Sequence, residues 1–314
     1  VASNNFTRNE LHQLCLENDA SFFAPPIELF TANGALIAWA GYEKYNCEVS
    51  TKLEFNPSPR WHNLSVSSLI YGLWRHTDDS EISSQKLLSK IEACLDQGIT
   101  TFDQADIYGG YTSEALLGEA LKQAPHLRDS IEIITKCDIV APIGIYKDKK
   151  VKHYDTSAKH INLSVDRSLS QMGIDQIDLL LLHRPDPLMD AQQTGSALDA
   201  VIANGKVKAI GVSNFKSWDI DLLQSCTENR LLTNQIEISL LQNEALTNGD
   251  LAYLQQHKIA PMAWSPLGGG ALVEDNKSPI STRLISMAKS YGVQPSSMAI
   301  AWLIKHPAMI LPVM

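Results

Sequence analysis

From about Leu64 to Met314 the sequence predicts a (β/α)8 barrel, a closed ring of eight parallel strands covered by helices. Short runs rich in β-forming residues alternate with longer amphipathic stretches, which is the pattern expected of βα units. Eight such runs occur with no sign of a second sheet, which favours a closed barrel over an open doubly wound sheet. Polar residues follow several of the runs, and the carboxyl ends of barrel strands share one face.

The predicted strands lie, in chain order, at 66–71, 99–103, 131–136, 177–183, 207–212, 232–237, 259–265 and 309–313. Between them, Lys86–Leu95 and Ile161–Leu169 place apolar residues at helical spacing. The eighth run reaches the last residues of the chain. The sequence therefore predicts an α/β TIM barrel that is truncated at strand 8 and lacks its last helix.

The region before Trp61 has a different sequence pattern, without the alternation of β-rich and amphipathic segments. Residues 9–17 have the character of a helix, Pro25 and Pro26 interrupt it, and residues 35–40 form a small apolar element. The proline-containing stretch 56–60 resembles a linker. We therefore predict a small α/β fragment at 1–58 and the barrel at 62–314.

Composition limits the classes of function. The chain has 314 residues, of which 44% are hydrophobic and 19% charged, as in a globular protein with a large core. A net charge of −9 without a Lys/Arg cluster argues against binding to nucleic acid or to an anionic membrane. The five cysteines are scattered and form no CxxC pair, so we expect a reducing, cytoplasmic setting and no thiolate metal site. No apolar run reaches the roughly 20 residues of a membrane helix.

Four polar residues stand where predicted strands end: Asp103, Tyr108, Lys136 and His183. Reduction of a carbonyl by hydride needs a proton donor for the oxygen, and a tyrosine with a pKa of about 10 is poorly matched to neutral pH. We expect Lys136 to lower that pKa and Asp103 to hold the ammonium in place. His183 would then orient the carbonyl.

Each of these residues also has a simpler structural interpretation. A tyrosine after a strand is usually packed at the surface, a lysine at a strand end is usually solvated, and a histidine before Arg184 and Pro185 could cap a turn. The four together, each at a carboxyl strand end, favour a proton-transfer site over these alternatives.

The motifs around these residues resemble the aldo-keto reductase family over about 64–314, and they are similar to its bacterial YdhF-like branch. The stretches that carry the resemblance are 102–111, 135–136, 182–190, 205–207, 210–215 and 262–270. The resemblance implies that Tyr108 is the general acid, that Lys136 and Asp103 tune it, and that His183 orients a small carbonyl substrate.

The same resemblance implies an NADP cofactor, with NAD as the alternative, bound across the barrel mouth without a Rossmann domain. The implied cofactor-binding residues are Gly72, Trp74, Ser213, Asn214, Gln235, Trp264, Ser265 and Leu267. Asn and Gln suit a carboxamide because each offers donors and an acceptor, and an indole face suits a flat ring. In isolation, Trp264 would be interpreted as core packing and Gln235 as a solvated strand end.

Members of that family continue beyond the eighth strand with a loop, basic residues and a helix that hold the adenosine 2′-phosphate and close the barrel. The choice between NADP and NAD, and the activity of a truncated barrel, therefore stay open from sequence. A barrel without this helix would leave apolar strand surface uncovered.

Residues 1–55 carry a second resemblance, through 1–5 and 23–41, to the final portion of the tRNA threonylcarbamoyladenosine transferase family. Ala32 occupies the position of that family's aspartate metal ligand, and alanine has no side-chain oxygen to bind a metal. We therefore expect a fused remnant and no metal site.

Three functions follow from the sequence. The first is an NAD(P)H-dependent oxidoreductase that reduces an aldehyde or a ketone. The second is a barrel subunit that binds a dinucleotide without catalysis, and the third is a part of a tRNA-modifying fusion protein. The identity of the substrate and the oligomeric state lie beyond the sequence.

Overall fold

Eight parallel strands form one sheet that closes on itself. The computed structural model describes residues 60–61, 64–76, 82–274 and 278–314, and these residues contain the whole predicted barrel strand set. In chain order, and with a short pair before them, the strands are β1 Arg60–Trp61, β2 Leu64–Ser65, β3 Ile70–Gly72, β4 Thr101–Asp103, β5 Glu132–Cys137, β6 Ile139–Val140, β7 His153–Tyr154, β8 Ile177–Leu182, β9 Val207–Ser213, β10 Leu231–Glu237, β11 Ala260–Trp264 and β12 Leu311–Pro312.

The barrel sheet has the order β3-β4-β5-β8-β9-β10-β11-β12, and all its pairings are parallel. Closure comes from a parallel bridge between Ile70 and Val313. The backbone N–H of Gly72 also donates to the Met314 carbonyl oxygen at 2.7 Å. The predicted (β/α)8 barrel is therefore confirmed.

Helices follow the barrel strands as the alternating pattern predicts. In chain order they are α1 Ser84–Asp96, α2 Ser113–Gln123, α3 Ala158–Met172, α4 Ala191–Ala203, α5 Ser217–Gln224, α6 Asp250–Gln256, α7 Pro279–Tyr291 and α8 Pro295–Ile304. The helix α3 shows why these segments are helical. The Ser157 hydroxyl accepts from the backbone N–H of His160 at its start, and Gly173 ends it at φ 63°, a left-handed conformation that glycine adopts without strain.

The strands are buried on both faces, because the helices cover the outside and side chains fill the inside. Every residue of β8 is buried, which explains its nearly continuous apolar sequence. The cluster that fills the interior consists of Leu64, Val66, Ile70, Ile134, Leu179, Leu181, Ala209, Leu232, Met262, Leu311 and Val313. Contributions from around the sheet make the interior a packed core that supports the face at the carboxyl ends of the strands.

The first barrel strand begins later than predicted. We placed it at 66–71, but β3 starts at Ile70, because Ser67 exchanges hydrogen bonds with the Thr101 side chain and backbone instead of joining the ladder. Just before it, β1 and β2 pair as an antiparallel hairpin. Leu64 and Val66 belong to the interior cluster, so this segment fills the end of the barrel opposite the strand carboxyl ends.

A second hairpin, β6 with β7, follows β5 and was not predicted. It projects from the carboxyl end of the strand that carries Lys136 and contributes Ile139 to the cavity above the site. Within the described ranges no helix is both long enough and apolar enough to cross a membrane. The predicted fragment at 1–58 lies outside the described residues, and its assignment stays a prediction.

Candidate active site

Lys136 lies at the centre of a buried hydrogen-bond network at the barrel's carboxyl face. Its Nζ donates to Asp103 Oδ2 at 2.7 Å, to the Gln104 carbonyl oxygen at 2.8 Å and to Tyr108 Oη at 3.0 Å. An ammonium has three N–H donors, so these acceptors satisfy it completely. The side chain of Lys136 is fully buried and that of Asp103 is 3% exposed. The pair is therefore a buried ion pair aimed at the Tyr108 phenol.

The backbone explains why Tyr108 stands above Lys136. Asp103 ends β4, and the loop that follows runs along the end of β5: the N–H of Gln104 donates to the Ile134 oxygen, and the N–H of Asp106 donates to the Lys136 oxygen at 3.0 Å. The loop then enters a short 3-10 turn that starts at Tyr108. Strand neighbours thus bring together side chains that lie 28 to 33 residues apart.

The pKa shifts of this group have several physical causes. Burial raises the pKa of Tyr108, while the charge of Lys136 and its hydrogen bond act in the opposite direction, and the net shift is upward. Burial alone would lower the pKa of Lys136, but Asp103 and Tyr108 raise it above its ordinary value. We expected Lys136 to bring the pKa of Tyr108 down. Instead, the removal of the phenol from water outweighs the cation, and Tyr108 is a protonated donor at neutral pH.

His183 directly follows β8 and packs edge-on against Tyr108, with 6.0 Å between the ring centroids. Burial lowers the pKa of His183 well below its usual range, and the charges of Lys136, Arg184 and Lys152 lower it further. The imidazole is therefore neutral at physiological pH and carries one N–H. All four predicted catalytic side chains meet at one place.

A cavity of about 1040 Å³ opens above these residues. Its floor contains Tyr108, His183, Gln235 and the rings of Trp74 and Trp264. Its wall combines apolar and polar side chains, namely Ile82, Ile107, Thr112, Leu116, Glu119, Ile139, Ile143, Lys152 and Arg184. A bound molecule would thus meet both an apolar surface and cationic donors beside the phenol.

A second groove, of about 310 Å³, adjoins the first. Trp74, Tyr108, Gln235 and Trp264 line both spaces, so the two are continuous at the candidate catalytic centre. The groove is also lined by the predicted cofactor-binding residues Gly72, Ser265 and Leu267, and by Arg75, Gly269 and Gly270. Arg75 was not singled out from the sequence, because a lone arginine in a loop has no distinguishing pattern.

The predicted carboxamide-binding residues are hydrogen-bonded to one another. Asn214, at φ 63°, donates from Nδ2 to Ser213 Oγ at 2.8 Å and accepts from Trp264 Nε1 at 3.0 Å. Ser213 Oγ donates to the Gln235 backbone oxygen at 2.9 Å. Gln235 Nε2 donates to Asp103 Oδ1 at 2.8 Å. The structure therefore brings these three residues together with Trp264, the predicted stacking residue, and links them to the ion pair.

Three buried carboxylic acids lie near the network and were missed in the sequence: Asp106, Glu114 and Asp138. Burial raises the pKa of all three, that of Asp106 to about 7. Ser164 and Ser168 of α3 donate to Asp106 and Glu114 respectively. Among the described residues no group of His, Cys, Asp and Glu side chains is arranged to hold a metal ion.

Comparison with known proteins adds the relatives of the chain. Residues 68–314 match the model of the aldo/keto reductase family. The chain is 60% identical over 251 residues to a 6-dehydroglucose reductase of Agrobacterium fabrum, covering 80% of this chain and 84% of the relative. It is 43% identical over 249 residues to the oxidoreductase YdhF of Escherichia coli, covering 79% and 83%.

Solved structures share the fold. An aldo/keto reductase from Klebsiella pneumoniae in complex with NADP and acetate superimposes with a TM-score of 0.67 at 22% identity, covering 82% of this chain and 84% of that one. The thermostable aldo-keto reductase Tm1743 also gives 0.67 at 22% identity, covering 80% and 85%. At this level of identity the likeness establishes the barrel architecture alone.

Proposed function

The chain belongs to the aldo/keto reductase family, and we propose that it uses NADPH to reduce an aldehyde or a ketone to an alcohol, with Tyr108 as the general acid. The observation that carries the proposal is the set of three contacts made by Lys136 Nζ, of which the one to Tyr108 Oη measures 3.0 Å. Tyr108 is therefore a protonated phenol that borders a cavity large enough for a small carbonyl compound.

A nicotinamide dinucleotide bound at this site would provide the hydride for the carbonyl carbon, and the protein provides the proton. Tyr108 donates its phenolic proton to the carbonyl oxygen, and the positive charge of Lys136 stabilises the phenolate that remains. Asp103 keeps Lys136 charged and fixed. His183, neutral and T-shaped against Tyr108, donates its N–H to the same oxygen and so sets the direction of the carbonyl.

The donor set at the junction of the two spaces fits a nicotinamide dinucleotide. Trp264 offers an indole face for the ring, and Ser213, Asn214 and Gln235 offer amide and hydroxyl groups for the carboxamide. Gly72, Trp74, Ser265 and Leu267 would border the remainder of the cofactor in the groove. We propose NADP rather than NAD as the cofactor, because aldo/keto reductases from Klebsiella pneumoniae that share this fold were solved in complex with NADP or NADPH.

We further propose a hydroxylated aldehyde such as 6-dehydroglucose as substrate. The relative at 60% identity is a 6-dehydroglucose reductase. In this chain, Arg184, Lys152 and Thr112 line the cavity beside Tyr108 and His183. Guanidinium, ammonium and hydroxyl groups are hydrogen-bond donors that suit the oxygen-rich surface of a sugar, whereas a purely apolar wall would not satisfy such a substrate.

The test is the loss of NADPH absorbance with 6-dehydroglucose or a generic aldehyde, measured for the wild type, Tyr108→Phe and the control Tyr253→Phe. Tyr253 lies on α6, away from the cavity, and bonds Asp221. We expect Tyr108→Phe to lose at least about 100-fold in kcat while it binds NADPH normally, because only the proton donor is removed. Equal loss of cofactor binding and turnover would contradict the role of Tyr108.

Absence of turnover by the wild type, together with tight NADPH binding, would favour the alternative of a non-catalytic dinucleotide-binding barrel. The proposal that residues 1–58 are a fused remnant of a tRNA threonylcarbamoyladenosine transferase is independent of this experiment.

A further inference from the structure

Gln235 makes a contact that a carboxamide-binding role does not require. The residue is on β10, its side chain is buried, and its Nε2 donates to Asp103 Oδ1 at 2.8 Å. The other carboxylate oxygen, Oδ2, accepts from Lys136 at 2.7 Å. Within the described part of the chain these are the side-chain donors that Asp103 receives. Gln235 thus supplies the second side-chain hydrogen bond to the Asp103 carboxylate, which holds Lys136.

The backbone around Gln235 is fixed as well. Its carbonyl oxygen accepts from Ser213 Oγ and from the backbone N–H of Asn214, both at 2.9 Å. The strand position is held by parallel pairing with Ser213 on one side and Met262 on the other. The side-chain amide therefore reaches Asp103 from a rigid base, and it bridges elements that are 132 residues apart in sequence.

A buried carboxylate depends on each of its hydrogen bonds. With Gln235 in place, Oδ1 is satisfied and Oδ2 is directed at Lys136; without it, the carboxylate can rotate or tilt to find another donor. Any such movement would draw Lys136 away from the position in which it is 3.0 Å from Tyr108 Oη. The orientation of Asp103 thus controls the electrostatic environment of the proton donor.

We propose that Gln235 is a positioning residue for the proton-donating site: its amide group orients the Asp103 carboxylate and, through Lys136, the Tyr108 phenol. The inference rests on the proposed function and goes beyond a contact with the nicotinamide carboxamide. The two roles are compatible, because Nε2 serves Asp103 while the side-chain oxygen is an acceptor for the carboxamide N–H.

The experiment uses Gln235→Met, Gln235→Glu and the control Gln255→Met, which makes the same change on the exposed face of α6. For Gln235→Met we expect kcat at saturating NADPH to fall roughly 10- to 100-fold, as for other residues that orient a reacting group through a neighbour. The dissociation constant of NADPH, measured by fluorescence, should change far less. A higher dissociation constant with an unchanged kcat would overturn the proposal in favour of a cofactor contact alone.

Gln235→Glu provides a signature that a merely structural role would not produce. The introduced carboxyl group can donate a hydrogen bond to Asp103 only while it is protonated. Two neighbouring carboxylates resist simultaneous ionisation, so the shared proton is kept at low pH and lost as the pH rises. We expect this variant to work best at low pH and to lose kcat as the pH rises through neutrality, over a range where the wild type is level. A pH profile with the wild-type shape would refute the positioning role.

A readout independent of turnover separates this inference from the proposed function. The ionisation of Tyr108 can be followed by ultraviolet difference absorbance against Tyr108→Phe in the same background, with and without Gln235→Met. We expect the midpoint to move when Gln235 is replaced, whether or not a substrate has been found, and an unmoved midpoint counts against the proposal. If the wild type shows no turnover but the midpoint moves, the proposed function fails and the positioning role stands.

Discussion

Replacing Asp106 with asparagine should make the stability of the protein less dependent on pH. The Asp106 side chain is buried, with the whole residue 2% exposed, and its Oδ2 accepts from Ser164 Oγ at 2.8 Å. Its Oδ1 is buried without a hydrogen-bond partner in the described part of the chain. Burial, reinforced by the nearby charge of Glu114, raises the pKa of Asp106 to about 7. The carboxyl group is thus neutral in the folded protein over a range in which it is ionised in the unfolded chain.

The sign and the size follow from proton linkage. An unfolded aspartate releases its proton near a pH of about 4, whereas folded Asp106 keeps it to about 7. Between these values the folded state binds the extra proton, so the free energy of unfolding falls as the pH rises through this window. From about pH 5 to about pH 8 the loss from this one group amounts to roughly 2.5 kcal/mol, at about 1.4 kcal/mol for each unit of pKa.

The assay is denaturant unfolding of the wild type and Asp106→Asn at both pH values. The amide can still accept from Ser164, and any cost of its buried NH2 group, about 1 to 3 kcal/mol, is the same at each pH. The quantity to compare is therefore the change in stability with pH, which should be smaller in the variant by about 2.5 kcal/mol. Contributions from Glu114 and Asp138 occur in both proteins and largely cancel.

The control Asp148→Asn removes the same charge from an exposed loop and should leave the pH dependence as in the wild type. Identical pH dependence in wild type and Asp106→Asn would show that the buried carboxyl group is ionised in the folded state. In that case the assignment of a raised pKa to the burial of Asp106 is wrong.

Two further predictions concern the ion pair and the direction of the reaction. Lys136→Met leaves the Asp103 carboxylate buried without its counter-charge. We therefore expect the free energy of unfolding to drop by about 3 to 5 kcal/mol and kcat to drop at least about 100-fold. Unchanged stability in denaturant would contradict a buried ionised pair. Alcohol oxidation needs Tyr108 as the phenolate, and burial raises the pKa of Tyr108. The oxidation rate at saturating NADP should therefore still be rising at a pH of about 10. The reduction rate should stay level up to that pH. A plateau of the oxidation rate near neutral pH would contradict this assignment.

The number and order of the strands could be predicted from sequence because barrel strands are buried on both faces and their apolar runs are conspicuous. The Ile177–Leu182 strand, with one aspartate among five apolar residues, is an example. The start of the first strand could not be predicted, because the β-forming segment begins at Val66 in the sequence, whereas Ser67 bonds the Thr101 side chain instead of joining the ladder. Short hairpins such as Ile139–Val140 with His153–Tyr154 carry too few residues to show a period.

The four candidate catalytic residues could be predicted because each lies at or shortly after the carboxyl end of a strand, and topology places all these ends on one face. The side-chain partners of these residues could not be predicted from the sequence. The pairing of Gln235 with Asp103 joins residues on β10 and β4, and it depends on side-chain reach across the barrel rather than on local spacing. The upward pKa shift of Tyr108 was also out of reach, because the sequence reveals a nearby cation but not the depth of burial that outweighs it.

The buried acids explain how the Tyr108 loop is held. Asp106 lies two residues before Tyr108 and bonds Ser164, while Glu114 lies at the start of α2 and accepts from Thr135 and from Ser168. Ser164 and Ser168 are one turn apart on the buried face of α3. The segment that carries the phenol is thus fixed at both ends to one helix, and to β5 through the backbone N–H of Asp106. Burial raises the pKa of both carboxyl groups, so near neutral pH they place less negative charge beside Lys136 than exposed acids would, and they oppose the attraction of the ammonium for the phenolate less.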